Sequence, residues 1–308
     1  MKVRVRTPMR LHLGMLDPGG AFGGLGVALN GGYEVEVGRG NGLKVVASKE
    51  DRGTVVSVLR RLNEVLSTGL DYDVRVIESI PRHVGLGSTT QLSLAVATAV
   101  LRLNSMELQV KTLALILGRG EVSAVGTYVF ERGGFVVEGG KQERNFPALV
   151  ARERVPDGWA FVLVRPRGRR GPDEDEEKPM MTSIAPNEEK SARICRHVLM
   201  GLLPAIKRGD IHSFGRHLSE VQRIVGSYFQ EEQGGEFRED MMEVVNFLDR
   251  VTHGAGQSSW GPTVYGLIKA RDFPGIRDRV VSHLKDAGIE AEVIQGIPLN
   301  RGATVKEG

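Results

Sequence analysis

The stretch PRHVGLGSTTQ, from Pro81 to Gln91, is the strongest constraint on what this chain can fold into. Gly85 and Gly87 can take φ > 0 and carry no Cβ, so the backbone there can approach a ligand closely with its amides turned outward. Ser88, Thr89 and Thr90 stand where N-cap chemistry is expected, and LSLAVATAVLRL from Leu92 to Leu103 is rich in helix formers without Gly or Pro. A helix is therefore predicted to start near Ser88. Its first N–H groups and the positive end of its dipole would face whatever the loop holds, which favours a phosphate or pyrophosphate. Gly85, Gly87, Ser88, Thr89, Thr90 and Gln91 are the candidate ligand contacts of this cradle. An ordinary helix cap after a turn is the competing reading.

A chain of 308 residues with 41% hydrophobic content can bury a full core, as one large or two medium domains. The net charge is only +3, and no Lys/Arg stripe interleaved with aromatic residues is present, which argues against a nucleic-acid partner. RPRGRRG (Arg165 to Gly171) and DEDEE (Asp173 to Glu177) are adjacent and opposite in sign. A solvated mobile loop is expected there, with closure over a charged substrate as the other reading. The single cysteine, Cys195, rules out an intramolecular disulfide and a thiolate metal cluster and reads as a packed thiol. No apolar run approaches the roughly 18 residues of a membrane span, and MKVRVRTPMR lacks a signal-peptide core. A cytoplasmic protein is expected.

Alternation predicts strands at Lys2 to Arg6, Tyr33 to Val37, Leu43 to Ser48 and Asp71 to Ile77. Helical spacing covers Thr54 to Ser67 and Leu92 to Leu103, and a third helix, Glu107 to Leu117, ends at Gly118. Beyond them come a buried strand at Trp159 to Pro166 and helices at Glu188 to Lys207, Ile211 to Ser227 and Glu236 to Val251. Strands at Thr263 to Ile268 and Ala291 to Ile294 then flank a helix at Ile276 to Ala287. The class is α+β, with a domain boundary expected in the polar stretch Ala151 to Asp157, giving units of 1–155 and 156–308.

TPMRLHLG (Thr7 to Gly14), HVGLGSTTQ (His83 to Gln91) and HGAGQSSWGPTVYGL (His253 to Leu267), in this order, resemble the motifs of the galactokinase, homoserine kinase, mevalonate kinase and phosphomevalonate kinase (GHMP) superfamily. That resemblance implies a GHMP-kinase-like two-domain fold with a ribosomal-protein-like N-terminal unit and a ferredoxin-like C-terminal unit. The kinases' catalytic Asp corresponds here to Gly126, and their magnesium-holding Glu to Leu115. GRGEVSAVGTYVFERGGFVVEGG (Gly118 to Gly140) and GQSSWGPTVYG (Gly256 to Gly266) resemble a non-kinase offshoot, the β-ribofuranosylaminobenzene 5′-phosphate synthases of methanopterin biosynthesis. The resemblance implies reaction of 5-phosphoribosyl 1-pyrophosphate with 4-aminobenzoate or 4-hydroxybenzoate, releasing pyrophosphate and CO₂. It also implies a homodimer. An ATP-dependent small-molecule kinase is the alternative enzyme, and a phosphometabolite-binding regulator the alternative without catalysis.

Such a site must neutralise a pyrophosphate leaving group, grip a 5′-phosphate and exclude water from an oxocarbenium-like centre. Arg10 and His12 alternate along one strand and should point to the same side, toward phosphate or the benzoate carboxylate. Asp17, in LDPGG, reads equally as a functional carboxylate or an ordinary turn residue. Arg119, Ser123 and Thr127 flank the absent kinase Asp, where a cation suits pyrophosphate. Glu131 is a second carboxylate candidate, with an ion pair to Arg132 or Arg144 as its alternative. Gln257, Ser258 and Ser259 replace kinase-loop glycines and are expected to add donors, and Trp260 is a candidate to stack on the benzoate ring, with packing, the commoner role of a large aromatic before a strand, as its alternative. No zinc spacing, pyridoxal phosphate signature or Rossmann fingerprint is present. Magnesium is the one expected cofactor, arriving largely with the pyrophosphate, with Asp17 and Glu131 as candidate ligands.

Overall fold

A computed structural model of the chain describes residues 1–141 and 145–308. The chain opens with β1 (Lys2–Arg6), β2 (Met9–Asp17), β3 (Phe22–Leu29), β4 (Glu34–Arg39) and β5 (Lys44–Val46). Then come α1 (Lys49–Leu66), β6 (Tyr72–Glu78), α2 (Ser88–Leu103), α3 (Val110–Ile116), α4 (Val125–Arg132), β7 (Phe135–Glu138) and β8 (Leu149–Glu153). The second half runs β9 (Trp159–Pro166), α5 (Glu174–Ser183), α6 (Glu188–His197), α7 (Leu203–Arg208), α8 (Ile211–Gly226), α9 (Gln230–Gln233) and α10 (Met242–Val251). It closes with β10 (Ala255–Gln257), β11 (Val264–Lys269), α11 (Phe273–Asp286), β12 (Ala291–Gly296) and β13 (Thr304–Glu307).

Three sheets result, ordered β13-β1-β4-β6-β5, β2-β3-β7-β8 and β10-β11-β9-β12. Alternation in KVRVR puts Val3 and Val5 in the core, while Lys2 and Arg4 pair outward with Glu36 across to β4, each at 2.7 Å. Leu92, Leu94, Ala95, Val96, Ala97, Ala99 and Val100 of α2 are each fully buried, the mark of a helix covered on every side. Burying a side chain of Val or Leu size contributes roughly 1.5–3 kcal/mol, so this central helix is held by packing rather than by propensity. One hydrophobic core continues from Val3 through Leu163 to Leu267, and Phe214 of α8 meets Phe135 and Trp159 edge-on at 5.5 and 5.3 Å.

The last strand, β13, pairs antiparallel with β1, so the segment expected to close the second unit completes the first sheet instead. Arg152 donates to the carbonyls of Gly133, Arg132 and Asn300, tying that return to the first half. Other expectations shift at their edges. The helix expected at Glu107 to Leu117 shortens to Val110–Ile116, and the one expected from Thr54 begins at Lys49, where the Ser48 hydroxyl accepts from Asp51 N–H. Glu188 to Lys207 is a continuous run interrupted by a π-helical turn at Val198–Leu202. The acidic run expected as a mobile loop instead begins α5.

Candidate active site

Helix α2 starts from Gly87, whose φ of +74° leaves it without a side-chain cap. The first N–H groups of the helix therefore face the space above the loop rather than a serine or threonine oxygen, contrary to the capping expected of Ser88 to Thr90. Gly85 (φ +80°) and Gly87 are both required by their surroundings. A Cβ at Gly85 would lie 2.3 Å from the Ser258 carbonyl oxygen, and one at Gly87 2.9 Å from Arg10 Cβ.

Around this loop a cleft of about 550 Å³, counting its open mouth, is lined by Arg10, Ser88, Thr89, Thr90, Glu177 and Trp260 among others. Arg10 comes from β2, whose backbone is clamped beneath the loop by Arg10 N–H donating to the Leu86 carbonyl at 3.2 Å. One guanidinium nitrogen donates to the Gly85 carbonyl at 3.3 Å, and its buried Nε has no partner. Burial pushes the Arg10 pKa down to about 10, with Glu177 pulling the other way. A desolvated cation with unused donors, beside a bare helix N-terminus, has the chemistry to hold an anion.

The charged loop folds over this cleft. Gly171 N–H donates to the His83 carbonyl at 2.6 Å, Arg169 pairs with Asp240 at 2.9 Å, and Trp260 Nε1 donates to Glu177 at 3.0 Å. Gly171, Pro172 and Glu177 consequently form its roof.

Behind Ser259 and Trp260, which line both spaces, lies a second cavity of about 440 Å³, counting its opening to solvent, with the opposite character. Met15, Val225, Phe229, Phe237 and Trp260 are on its walls. Trp260 meets Phe229 edge-on at 4.7 Å. His12, two residues after Arg10 on β2, is 4% exposed and opens into this cavity. Burial, aided by the Arg10 charge, lowers its pKa to about 3, so the imidazole is neutral. Arg10 and His12, expected to point to one side toward a shared ligand, line different chambers.

The other candidate residues divide. Ser259, Trp260 and Gln257 line the cavities, but the side chains of Gln257 and Ser258 are already hydrogen-bonded within the scaffold. The Ser258 hydroxyl donates to the Gly85 carbonyl at 2.6 Å and accepts His12 N–H at 3.0 Å. Gln257 accepts Arg238 N–H at 2.9 Å and donates to Gln233 and the Ser259 carbonyl. Gln91, with no exposed surface, donates to the Gly126 carbonyl at 2.8 Å beneath the loop, and Thr127 is buried. Ser123 donates to Glu138, a buried carboxyl whose pKa is raised by burial. Arg119 lines a separate groove with Thr89, Ser93 and Leu115, on the outer side of α2.

Asp17 and Glu131 are not brought together at the cleft. Asp17 holds its own turn through Ala21 N–H at 2.8 Å and accepts the Ser191 hydroxyl at 2.6 Å. Glu131 pairs with Arg132 at 3.1 Å, and Arg144, its other expected partner, lies outside the described residues. Among the described residues no group of three His, Cys, Asp or Glu side chains could hold a metal ion. A magnesium cage built on Asp17 and Glu131 does not fit this arrangement.

Sequence reasoning missed Glu177 and Gln222. Gln222 carried a readable signal, being a polar residue inside the apolar stripe Leu218, Val221, Val225 of α8. Glu177 had none, because its place depends on how the charged loop folds back.

The GHMP kinases N terminal domain profile matches residues 53–130, and the GHMP kinases C terminal profile matches 202–286. Among solved structures, homoserine kinase from Cytophaga hutchinsonii superposes with a TM-score of 0.73 at 18% identity, covering 99% of this chain and 97% of that one. Mevalonate diphosphate decarboxylase from Enterococcus faecalis gives 0.74 at 12% identity, covering 100% and 99%. These likenesses establish the fold. Closer in sequence are two proteins named β-ribofuranosylphenol 5′-phosphate synthase. The one from Archaeoglobus fulgidus is 30% identical, with 99% of both chains covered, and the one from Methanothermobacter thermautotrophicus is 29% identical, with 97% of both covered. With 30% identity across 99% of both chains and both GHMP profiles matched, the chain belongs to the β-ribofuranosylphenol 5′-phosphate synthase family within the GHMP kinase superfamily.

Proposed function

We propose that this enzyme joins 5-phosphoribosyl 1-pyrophosphate to a 4-substituted benzoate, forming a carbon–carbon bond to ribose with loss of pyrophosphate and CO₂. The names of the relatives point to a phenol product, hence to 4-hydroxybenzoate as acceptor. The observation that carries the reading is the adjacency of a cationic cleft and an aromatic-walled cavity through Ser259 and Trp260. A phosphorylated sugar and a flat apolar ring need that pair of chambers, with their reacting carbons at the junction.

The chain's own groups account for the needs of the reaction. Arg10 and the α2 N-terminus stabilise negative charge as it builds on the leaving pyrophosphate. The roof of Gly171, Pro172 and Glu177 and the wall of Trp260 keep water from the electron-poor C1′. The apolar cavity weakens solvation of the benzoate carboxylate, which favours its departure as neutral CO₂. Magnesium, if used, enters as the counter-ion of the pyrophosphate, with Glu177 the described carboxylate nearest to hand.

A kinase reading is disfavoured by Gly126. A Cβ there would sit 3.1 Å from Thr90 Cγ2, so the position has little room for the Asp that a kinase needs. Among the described residues no helix is long and apolar enough to cross a membrane, and a cytoplasmic homodimer is the proposed state, checked by light scattering. Incubation with 5-phosphoribosyl 1-pyrophosphate, magnesium and carboxyl-labelled 4-hydroxybenzoate or 4-aminobenzoate should release labelled CO₂ and pyrophosphate in equal amounts. Absence of CO₂ with both acceptors, or phosphoryl transfer from ATP to a small alcohol, would refute the proposal. Binding without turnover would instead indicate a regulator.

A further inference from the structure

We propose that Gln222 and His12 form a subsite that reads the acceptor's para substituent and selects a phenol hydroxyl over an aniline amine. The inference rests on the reading of the aromatic-walled cavity as the acceptor site, and it names the residues that decide which benzoate enters.

Gln222 is 5% exposed and projects from α8 into the cavity. Its Oε1 accepts Gln257 N–H at 2.7 Å, which fixes the amide so that Nε2 is the free end. That nitrogen has no hydrogen-bond partner among the described residues, and neither has the His12 ring. Of the other polar side chains of the cavity, Gln257, Gln233 and Glu236 are engaged. Gln257 and Gln233 bond to each other at 3.2 Å, Gln233 also donates to the Gly235 and Glu236 carbonyls, and Glu236 faces Arg223 at 3.6 Å. Gly14 lines the same cavity beside Gln222. A Cβ there would lie 3.6 Å from Gln222 Nε2 and 3.1 Å from Val221 Cγ1, so only glycine leaves the gap open.

Both groups belong to nearly buried residues, have no protein partner and open into the cavity, so a ligand there can complete them. Gln222 offers a donor. Neutral His12 offers one acceptor nitrogen, and with no protein partner on either nitrogen its tautomer can follow the ligand. A phenol oxygen donates once and accepts readily, so it satisfies both. An aniline nitrogen donates twice, but its lone pair is delocalised into the ring, so it leaves the Gln222 N–H unmet. The expected preference for 4-hydroxybenzoate is roughly tenfold to hundredfold, the range for one unmet buried donor.

The same contact assists the chemistry. A hydrogen bond from the phenol to His12 pushes electron density toward the para carbon, which carries the carboxylate and attacks C1′. The new carbon–carbon bond forms as the C1′–O bond breaks and its electron pair leaves with pyrophosphate. The bond to CO₂ then breaks, its pair restores the aromatic ring, and the phenol keeps its proton.

The test compares kcat/KM for 4-hydroxybenzoate and 4-aminobenzoate in the wild type, Gln222→Glu and Gln222→Met, alongside calorimetric binding of each benzoate without the sugar. The wild type should favour the hydroxy acid at least tenfold. Gln222→Glu, which can still accept Gln257 N–H but presents an acceptor to the cavity, should bring the ratio to within about twofold of one or reverse it, and Gln222→Met should flatten it. The KM for 5-phosphoribosyl 1-pyrophosphate should stay within about twofold in both variants, as expected for groups outside the anion cleft. Turnover with an unchanged acceptor ratio in either folded variant overturns the inference and leaves the reaction standing. A wild type that binds 4-hydroxybenzoate through Gln222 but turns over neither acid overturns the reaction and leaves the subsite standing.

Discussion

Replacing Arg10 with methionine is expected to stabilise the ligand-free protein while removing most of its affinity for pyrophosphate. The guanidinium is held where burial lowers its pKa from 12.5 to about 10. At 1.36 kcal/mol per unit, that shift corresponds to about 3 kcal/mol of cost for keeping the charge in the empty cleft. Methionine is close in length and leaves no buried donor unmet. It forfeits the 3.3 Å hydrogen bond to Gly85, worth about 1 kcal/mol, so the net gain is about 2 kcal/mol. For a chain of this size that is a rise of roughly 4 °C in Tm, read by calorimetry without ligand. Titration with inorganic pyrophosphate should show affinity falling by at least about thirtyfold, because a charge-assisted hydrogen bond is lost where the dielectric is low. Arg10→Lys should fall between the two. If Arg10→Met melts several degrees lower and still binds pyrophosphate within about threefold of wild type, Arg10 is a structural residue and the cleft is not an anion site.

Gly87→Ala, at φ +74° and with its Cβ aimed at Arg10 Cβ, should lose more than about 2 kcal/mol in urea unfolding and raise the KM for the phosphoribosyl donor. Ser258→Ala should destabilise by about 1–3 kcal/mol, since His12 N–H is orphaned and the Gly85 carbonyl keeps only its longer bond to Arg10; urea melts at fixed pH would show it. His12 has a folded pKa of about 3 against 6.5 unfolded, so below pH 6.5 the unfolded chain takes up a proton that the fold refuses. Its contribution is complete above 6.5 and falls by roughly 1.4 kcal/mol per pH unit toward 3, so His12→Asn should give a visibly shallower acid limb in stability against pH.

Much of this arrangement is legible in the residues themselves. Alternation locates β1, and the run of Leu92 to Leu103 locates the central helix. Strand β3 stays hidden because FGGLGVAL is buried almost throughout and rich in glycine, which erases the period of two. The turn of Gly85 and Gly87 and the helix that follows it could be read because glycines before a run of helix formers carry a local signal. The directions of Ser258 and Gln257 could not, since the Gly85 carbonyl and Arg238 N–H that claim them come from distant segments. The acidic run reads as solvated until Glu177 meets Trp260, a contact set by a loop folding across the two halves.

The central claim is a carbon–carbon bond between ribose C1′ and the ring carbon that loses CO₂. It is tested most directly by carbon NMR of the product made from a phosphoribosyl donor labelled with carbon-13 at C1′ and 4-hydroxybenzoate labelled at the carboxyl-bearing ring carbon. One-bond coupling between the two labels, with pyrophosphate and unlabelled CO₂ released in equal amounts, is the predicted result. An ester or ether of ribose that keeps its carboxylate, with no coupling between the labels, would contradict it.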